Sequence, residues 1–433
     1  MPVATQTMPQ RWGLGRWISP GGARAGRRDS RRLGRDGITP VVRKPSVDFS
    51  LTGLIYCAMM MFMGLAAVNT QANLLFGVFG LMIGVLLVSV TLCRLVLMRL
   101  HVTRALPESA VVGQRATVHY HFHNAKRFWP SLSVTVAELD GTEAFTVQPH
   151  AYMLHAAPGM TAIVPIELIP KRRGLYRLGH YQISTSFPFG FIKRALVRRK
   201  EDAILVYPAL GAVSPRLLAL CRSAERSGTH RKPRRGGSDE FYGVKQFRPG
   251  ENPRWIHWRR SARTGALVVK EMAQISPPSL LILVDTYASG TAPEESAQIE
   301  KTIARAASLA SRVLDSGMAV GLCVWADGWE TIAPQRGKRH CRDILAALAE
   351  LPANRRQTLD QLIETGKTMM HGEVTMVLCT PRDVQLGFAE RARGSILVVS
   401  GESDEANGWF QFDPAIHFEQ CAPLGDSKRT AGG

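Results

Sequence analysis

"LLILVD", residues 280–285, runs through five apolar residues without polar alternation and closes on an aspartate. A run of this kind predicts a strand covered on both faces. Downstream, "TYASG" leads to a helix expected to open at Thr291, with Thr291 and Glu294 in capping-box spacing. Its inward positions Ile299, Ile303, Ala307, Ala310 and Leu314 recur every three or four residues, and Gly317 ends it. There follow "AVGLCVWAD" (strand), "HCRDILAALAEL" and "LDQLIETGKTMM" (helices), and "EVTMVLCT" and "GSILVVSG" (strands). Alternating strands and helices imply a mostly parallel, doubly wound α/β sheet. Ligands on such sheets sit beyond the carboxyl ends of strands, here Asp285 to Ser289 and Thr380 to Asp383.

This arrangement over residues 279–421 resembles the von Willebrand factor A domain, whose metal site reads Asp-x-Ser-x-Ser after the first strand. Asp285 and Ser289 match that row, but Tyr287 stands at the middle serine, and a tyrosine is a poor ligand for a hard cation. Asp285, Ser289 and Asp383 are the metal candidates for Mg²⁺; the expectation is a degenerate site that keeps the fold without the ion, and no other cofactor. "TGKT" at 365–368 imitates a phosphate loop, but Gln361 stands where the first glycine is required. With no HExxH, GxSxG or GxGxxG, no catalytic residue is assigned.

Upstream the period changes to two. "ATVHYHFHN", "LSVTVAEL" and "TAIVPIEL" alternate between Gly, Pro and Asn punctuation, so residues 101–208 are expected to form an antiparallel β-sandwich. His119, His121 and His123 share one strand face. Metal binding there is weighed against a solvent-facing polar side, and the latter is preferred because no acidic or cysteine partner lies nearby in sequence. "SFPFGF" (186–191) reads as an irregular turn whose aromatics cover a sheet end.

Further upstream, residues 49–68 and 74–98 are two apolar runs, each reaching the roughly 20 residues that cross a hydrocarbon core. The short link "NTQAN" permits only a transmembrane helical hairpin, residues 49–98. A buried hairpin of a soluble protein is the competing reading, disfavoured by length and composition. Arg43 and Lys44 flank one end and Arg94, Arg99 and Arg104 the other, while the link has no charge. The positive-inside rule then puts both termini in the cytoplasm of an inner-membrane, two-pass protein.

The net charge is +19, of which residues 1–48 hold +7 and residues 222–235 hold +5. The folded remainder is only mildly basic, which argues against a nucleic-acid face. Residues 1–48 are expected to be a disordered basic tail touching anionic membrane lipid, and residues 422–433 a second tail. Seven cysteines, an odd number without a CxxC pair, fit a reducing compartment.

The connecting segment 209–278 contains "FRPGENPRWIHWRRSAR" (247–263), with five arginines, two tryptophans and a histidine. Asn252 before Pro253 and Gly265 at the far end predict a helix over 253–264. Arg254, His257, Trp258 and Ser261 would then share a face. The first reading is a helix anchored to the protein's own core by its tryptophans; as a partner surface, the competing reading, the interaction candidates are Arg248, Arg254, His257, Trp258 and Arg263, since Trp and Arg are preferred interface anchors. "FYGVKQFRPGENPRWIHWRRSARTGALVVKE" resembles the signature of the bacterial domain-of-unknown-function family fifty-eight. The spacing of Tyr242, Arg248, Gly250, Arg254, Ile256, Trp258, Ala262 and Arg263 carries the likeness, which with the paired spans extends over roughly 49–421. The family pattern usually has Asp where Glu251 or Asn252 stands. The resemblance implies a non-enzymatic, membrane-anchored adaptor working with a MoxR-type AAA+ ATPase in protein complex assembly or envelope maintenance. A metal-dependent hydrolase and a membrane-attached nucleic-acid binder using residues 222–235 are the rivals.

Overall fold

A computed structural model of the 433-residue chain describes residues 46–227, 234–249, 252–274, 279–288, 290, 292–326, 328–354, 358–368, 375–382, 384, 396–401 and 404–423. The expected tails fall outside these residues except at their inner edges, as do residues 228–233 of the second basic segment. The first described element, β1 (Ser46–Phe49), pairs antiparallel with β9 (Ile192–Tyr207), placing Phe49 opposite Ile192. Residues 46–48 are therefore strand and not tail.

Two apolar helices follow, α1 (Leu51–Thr70) and α2 (Asn73–Leu97), both long and apolar enough to span a membrane. Ser50 caps α1 by accepting from the Gly53 amide at 3.2 Å. Gln71 ends it with φ 53°, so the link shrinks to Gln71 and Ala72. The Tyr56 hydroxyl donates to the Met82 carbonyl across the hairpin at 3.0 Å. Large apolar side chains along both helices, Phe62 and Leu74 among them, lack protein cover. This is the pattern expected of lipid-facing surface and not of a core helix.

The next region is two antiparallel sheets face to face. One orders β1, β9, β8 (Gly174–Thr185), β5 (Ser131–Glu138) and β6 (His150–Ala156), with β3 (Ser109–Val111) parallel to the end of β9. The other orders β2 (Leu100–Ala105), β4 (Ala116–Asn124) and β7 (Thr161–Leu168). The alternation in β4 sends Val118, Tyr120 and Phe122 inward, while His119 and His123 are exposed and His121 is half-buried. "SFPFGF" does more than cover a sheet end. It seats against α1, with the Phe191 ring 4.2 Å from the Tyr56 ring and the Ser50 amide donating to the Phe191 carbonyl at 3.0 Å.

In the C-terminal α/β unit β13 (Ser279–Val284) is central, flanked in parallel by β14 (Ala319–Trp325) and β16 (Thr375–Thr380), with β17 (Ile396–Ser400) beyond β16. Leu280, Ile282 and Val284 share a core with α5 (Pro293–Asp315) and α6 (Lys338–Glu350). Leu281 and Leu283 share another with Leu362 and Ile363 of α7 (Leu359–Thr368). The unbroken apolar run is thus covered on both sides. The edge strand β15 (Trp329–Gln335) is antiparallel to β14. Mostly exposed and interrupted by Pro334, it gave no strand pattern in sequence. Helix α5 starts at Pro293 with Ala292 as its cap, in place of the expected capping box at Thr291, which lies outside the described residues. Proline prefers the first helical position, where its missing N–H costs nothing. "TGKT" is the last turn of α7, and Gly366 is there to let the helix approach the sheet: a Cβ would lie 2.8 Å from Leu283 Cδ2.

Sandwich and α/β unit meet through Arg173, 1% exposed. Its Nε and Nη2 donate to both Glu300 oxygens at 2.7 and 2.8 Å. Nη1 donates to the carbonyls of Leu348 and Ala349, and Nη2 also to Leu351, at 2.8–3.0 Å. All five guanidinium donors are thus satisfied, three by carbonyls of the last turn and C-cap of α6. The chain end straps the joint: the Arg173 amide donates to the Cys421 carbonyl at 3.0 Å, and Ile416 and Phe418 pack on the sandwich core.

Between these units in sequence lie β10 (Ala212–Val213), paired antiparallel with Phe410 and Gln411 at the start of the strap 410–423, α3 (Pro215–Ser227), whose Leu217 and Cys221 enter the α5 core, and a ribbon of β11 (Arg234–Gln246) with β12 (Val268–Gln274).

Candidate functional site

Two places have the chemistry of a site: the carboxyl end of the central strand, and the arginine- and tryptophan-rich segment on the ribbon.

Because β13 leads through α5 to β14 on one side while β16 returns on its other side, the place between the ends of β13 and β16 is the topological switch of the sheet. Asp285 leaves β13 into it and is wholly buried. Its Oδ1 accepts from the Tyr287 amide at 3.0 Å. Oδ2 accepts from the Thr380 hydroxyl at 2.8 Å and from Arg382 Nε and Nη2 at 3.0 and 2.8 Å. The Arg382 guanidinium also lies over the Tyr287 ring, 4.4 Å from its centroid. Tyr287, a poor metal ligand, is therefore a good platform for an arginine. The loop is braced by Asn354, whose amide donates to the Thr286 carbonyl and whose carbonyl accepts from the Ala288 amide, both at 2.8 Å.

This donor set does not fit a divalent cation. A metal ligand needs free carboxylate lone pairs, and a fixed guanidinium on Oδ2 places a second positive charge where the ion would sit. Of the three metal candidates only Asp285 can be tested; Ser289 and Asp383 lie outside the described residues. Among the described residues no three His, Cys, Asp or Glu side chains gather within ligating reach. His123 is engaged with the Thr161 hydroxyl at 3.0 Å. All seven cysteines are unpaired, and burial pushes the Cys221 thiol up to about 11 and those of Cys323 and Cys379 to about 12, the reverse of nucleophile activation. Sequence reasoning missed Arg382, although "TPRD" sits immediately after the neighbouring strand.

The signature segment is not one helix. A 3₁₀ turn, Pro253–Trp255, is capped by Asn252, whose Oδ1 accepts from the Arg254 amide at 3.1 Å. The chain then extends at Ile256, which is buried and bridges Val269 of β12. Helix α4 (Trp258–Thr264) starts afresh with His257 as cap and ends at Gly265, φ 68°. Burying Ile256 against the ribbon outweighs helical continuity, so the common face expected for Arg254, His257, Trp258 and Ser261 does not exist. Ser261 faces inward, its hydroxyl accepting from the Val268 amide at 2.9 Å, and the His257 amide donates to the Val268 carbonyl at 2.7 Å. Trp255 is half-buried. Trp258 is 67% exposed, with Arg254, Arg259, Arg260 and Arg263 also exposed around the same short segment. Arg248 is exposed on the loop before it.

Residues 243–380 match the family described as "Protein of unknown function DUF58". The matched span holds the signature segment, Asp285 and Thr380, and it excludes the hairpin and the sandwich, so the likeness is narrower than the 49–421 expected. The chain is 24% identical over 249 residues to "Uncharacterized protein YeaD" of Bacillus subtilis (strain 168), covering 52% of this chain and 61% of that protein. The match thus spans about three fifths of that relative's length. Among solved structures, a GH20 exo beta-N-acetylglucosaminidase from Vibrio harveyi in complex with N-acetylglucosamine aligns over 65% of this chain and 57% of that one. At 9% identity and a TM-score of 0.15 it carries no argument. Within the DUF58 span the ribbon segment stands near the start, Asp285 follows it, and Thr380 closes the span, with Arg382 just beyond it.

Proposed function

We propose that the protein is a non-enzymatic, membrane-anchored scaffold that docks a MoxR-type AAA+ ATPase on its cytoplasmic side through the segment 253–263. Both termini lie in the cytoplasm on this reading, and the α/β unit is von Willebrand A-like, with Arg382 standing where that family's metal would be. The observation that carries the proposal is Trp258, a large aromatic left open to solvent on a helix otherwise pinned to its ribbon and surrounded by exposed arginines. An aromatic anchor ringed by cations is the composition of an interface hot spot for an acidic surface. A hydrolase would need Asp285 to give up Arg382 before any metal or water could reach it.

Affinity purification of the full chain from detergent-solubilised membranes tests this. The intact protein is expected to bring down an AAA+ ATPase, and Trp258→Ala to weaken that capture about 30-fold, the effect of losing a hot spot of roughly 2 kcal/mol. Equal recovery with Trp258→Ala, or no ATPase with either, would overturn the assignment.

A further inference from the structure

The end of α2 is stitched to a turn of the sandwich in a way the docking function does not explain. Lys126, 5% exposed, donates from Nζ to the carbonyls of Leu95 and Val96 at 3.0 and 2.8 Å and to the Ser131 hydroxyl at 2.7 Å. The Ala125 amide donates to the Arg99 carbonyl at 3.1 Å. A lysine thus caps the orphan carbonyls of the second span and fixes residues 125–131 at its foot.

What this turn presents is unusual for a surface held in place. Phe128 is 76% exposed and Trp129 56% exposed, with the Arg127 guanidinium 5.1 Å from the Phe128 ring centroid. Neither aromatic hangs on a loose loop. The Asn124 side chain donates to the carbonyls of Trp129 and Ala156 at 3.0 and 2.9 Å, while its own carboxamide oxygen accepts from the Lys126 amide. Asn124 also hydrogen-bonds through its backbone to Gly159 and Met160, and Met160 is exposed too. On the other side of the hairpin, the 186–191 turn that grips α1 leaves Phe189 exposed.

Depth along the spans identifies the occupant. The 25 residues of α2 measure about 37 Å at a rise of roughly 1.5 Å each, against a hydrocarbon core of about 30 Å. The last turn, which Lys126 caps, therefore lies at the boundary between hydrocarbon and headgroups. Trp is a residue of that interfacial belt, and Phe beside a basic residue buries its ring at the acyl boundary. Arg94, Arg99 and Arg127 add attraction for anionic headgroups.

We infer that the turn Arg127–Phe128–Trp129 is immersed in the phospholipid interface of the membrane that α1 and α2 cross, seating the sandwich directly on the bilayer. The inference rests on the reading of α1 and α2 as spans. The test uses the full chain in vesicles of phosphatidylethanolamine and phosphatidylglycerol, with and without lipids brominated near the headgroup end of the acyl chain. The fluorescence lost in Trp129→Phe isolates the Trp129 contribution. That component is expected to be quenched several-fold more by the brominated lipid than the mean of the remaining tryptophans. A Trp129 component that is solvent-like and unquenched would overturn the inference. A blue-shifted but unquenched one would do the same, by showing that a protein surface or a second copy covers the turn. Alkaline extraction of the same vesicles separates the two levels: protein that washes off refutes the spans themselves, whereas retained protein with unquenched Trp129 refutes only the interfacial seat.

Discussion

Arg173 and the arginines of the 253–263 segment are the same side chain put to opposite uses. At the joint between sandwich and α/β unit one guanidinium is sealed from water and every donor is occupied. On the ribbon segment four guanidinium groups stand in solvent around an open tryptophan. The first arrangement fixes the molecule's own geometry, because a buried cation tolerates no missing partner. The second leaves charge and aromatic surface exposed among the described residues, the composition on which the docking proposal rests. Lys126 and Arg382 fall between these extremes, and the cost of disturbing each cation is expected to follow its burial.

The joint is where the largest effect is expected. Arg173→Ala strips the pair from Glu300 and three carbonyls from the end of α6, leaving a buried carboxylate alone; the expected loss is about 3–5 kcal/mol. Thermal unfolding of the detergent-solubilised chain would show it as a lowered midpoint, with sandwich and α/β unit melting apart. The double change Arg173→Met with Glu300→Met is expected to recover part of that loss. A single variant that melts like the parent would show that the strap 410–423 holds the joint by itself.

Lys126 comes next, and its signature is pH dependence. Burial pulls its ammonium down from the ordinary lysine value to about 8, so the folded protein disfavours the charged form relative to the unfolded chain. The resulting stability term is fully present above the unfolded value of roughly 10.4 and is lost as pH falls through about 8. Stability relative to Lys126→Met is therefore expected to rise by about 2–3 kcal/mol between pH 8 and 10.5, the methionine variant cancelling the titration of all other groups. A flat difference across that window would mean that the helix carbonyls hold the ammonium charged throughout.

How much of this was legible in the sequence follows from how local each signal is. The run 280–284, the alternation of β4 and the two apolar helices are patterns that one segment carries alone, and all three stand where the periodicities put them. The Arg173–Glu300 pair joins residues 127 positions apart, and nothing in "KRRG" announces it. The break at Ile256 was hidden because Asn252, Pro253 and Gly265 are sound helix signals. They are overruled by a strand twelve residues downstream that only the fold brings alongside. At Asp285 the sequence offered part of a metal row with Tyr287 in place of its middle serine, and in the structure the Tyr287 ring lies under the Arg382 guanidinium. The cation that pairs with Asp285 is Arg382, across the switch point, where no spacing rule on the first strand could reach.

Arg382 is the most exposed of the internal cations, its side chain 37% open to solvent, and its removal is expected to cost the least. Arg382→Ala leaves Asp285 with the Thr380 hydroxyl and the Tyr287 amide but no counter-charge. Solvent reaching the vacated position softens that loss to about 1–2 kcal/mol. The decisive comparison is a double-mutant cycle. If the pair is structural, Asp285→Asn removes the need for Arg382, and adding Arg382→Ala to it should cost almost nothing further. If the two substitutions add in full, Arg382 serves something other than Asp285, and the crevice at the switch point is not closed by an internal ion pair. Calorimetric titration of Arg382→Ala with Mg²⁺ sharpens the point. Binding that appears only in the variant would show that the arginine occupies a place a cation can take, and no binding in either protein would show that Asp285 holds its position for the ion pair alone.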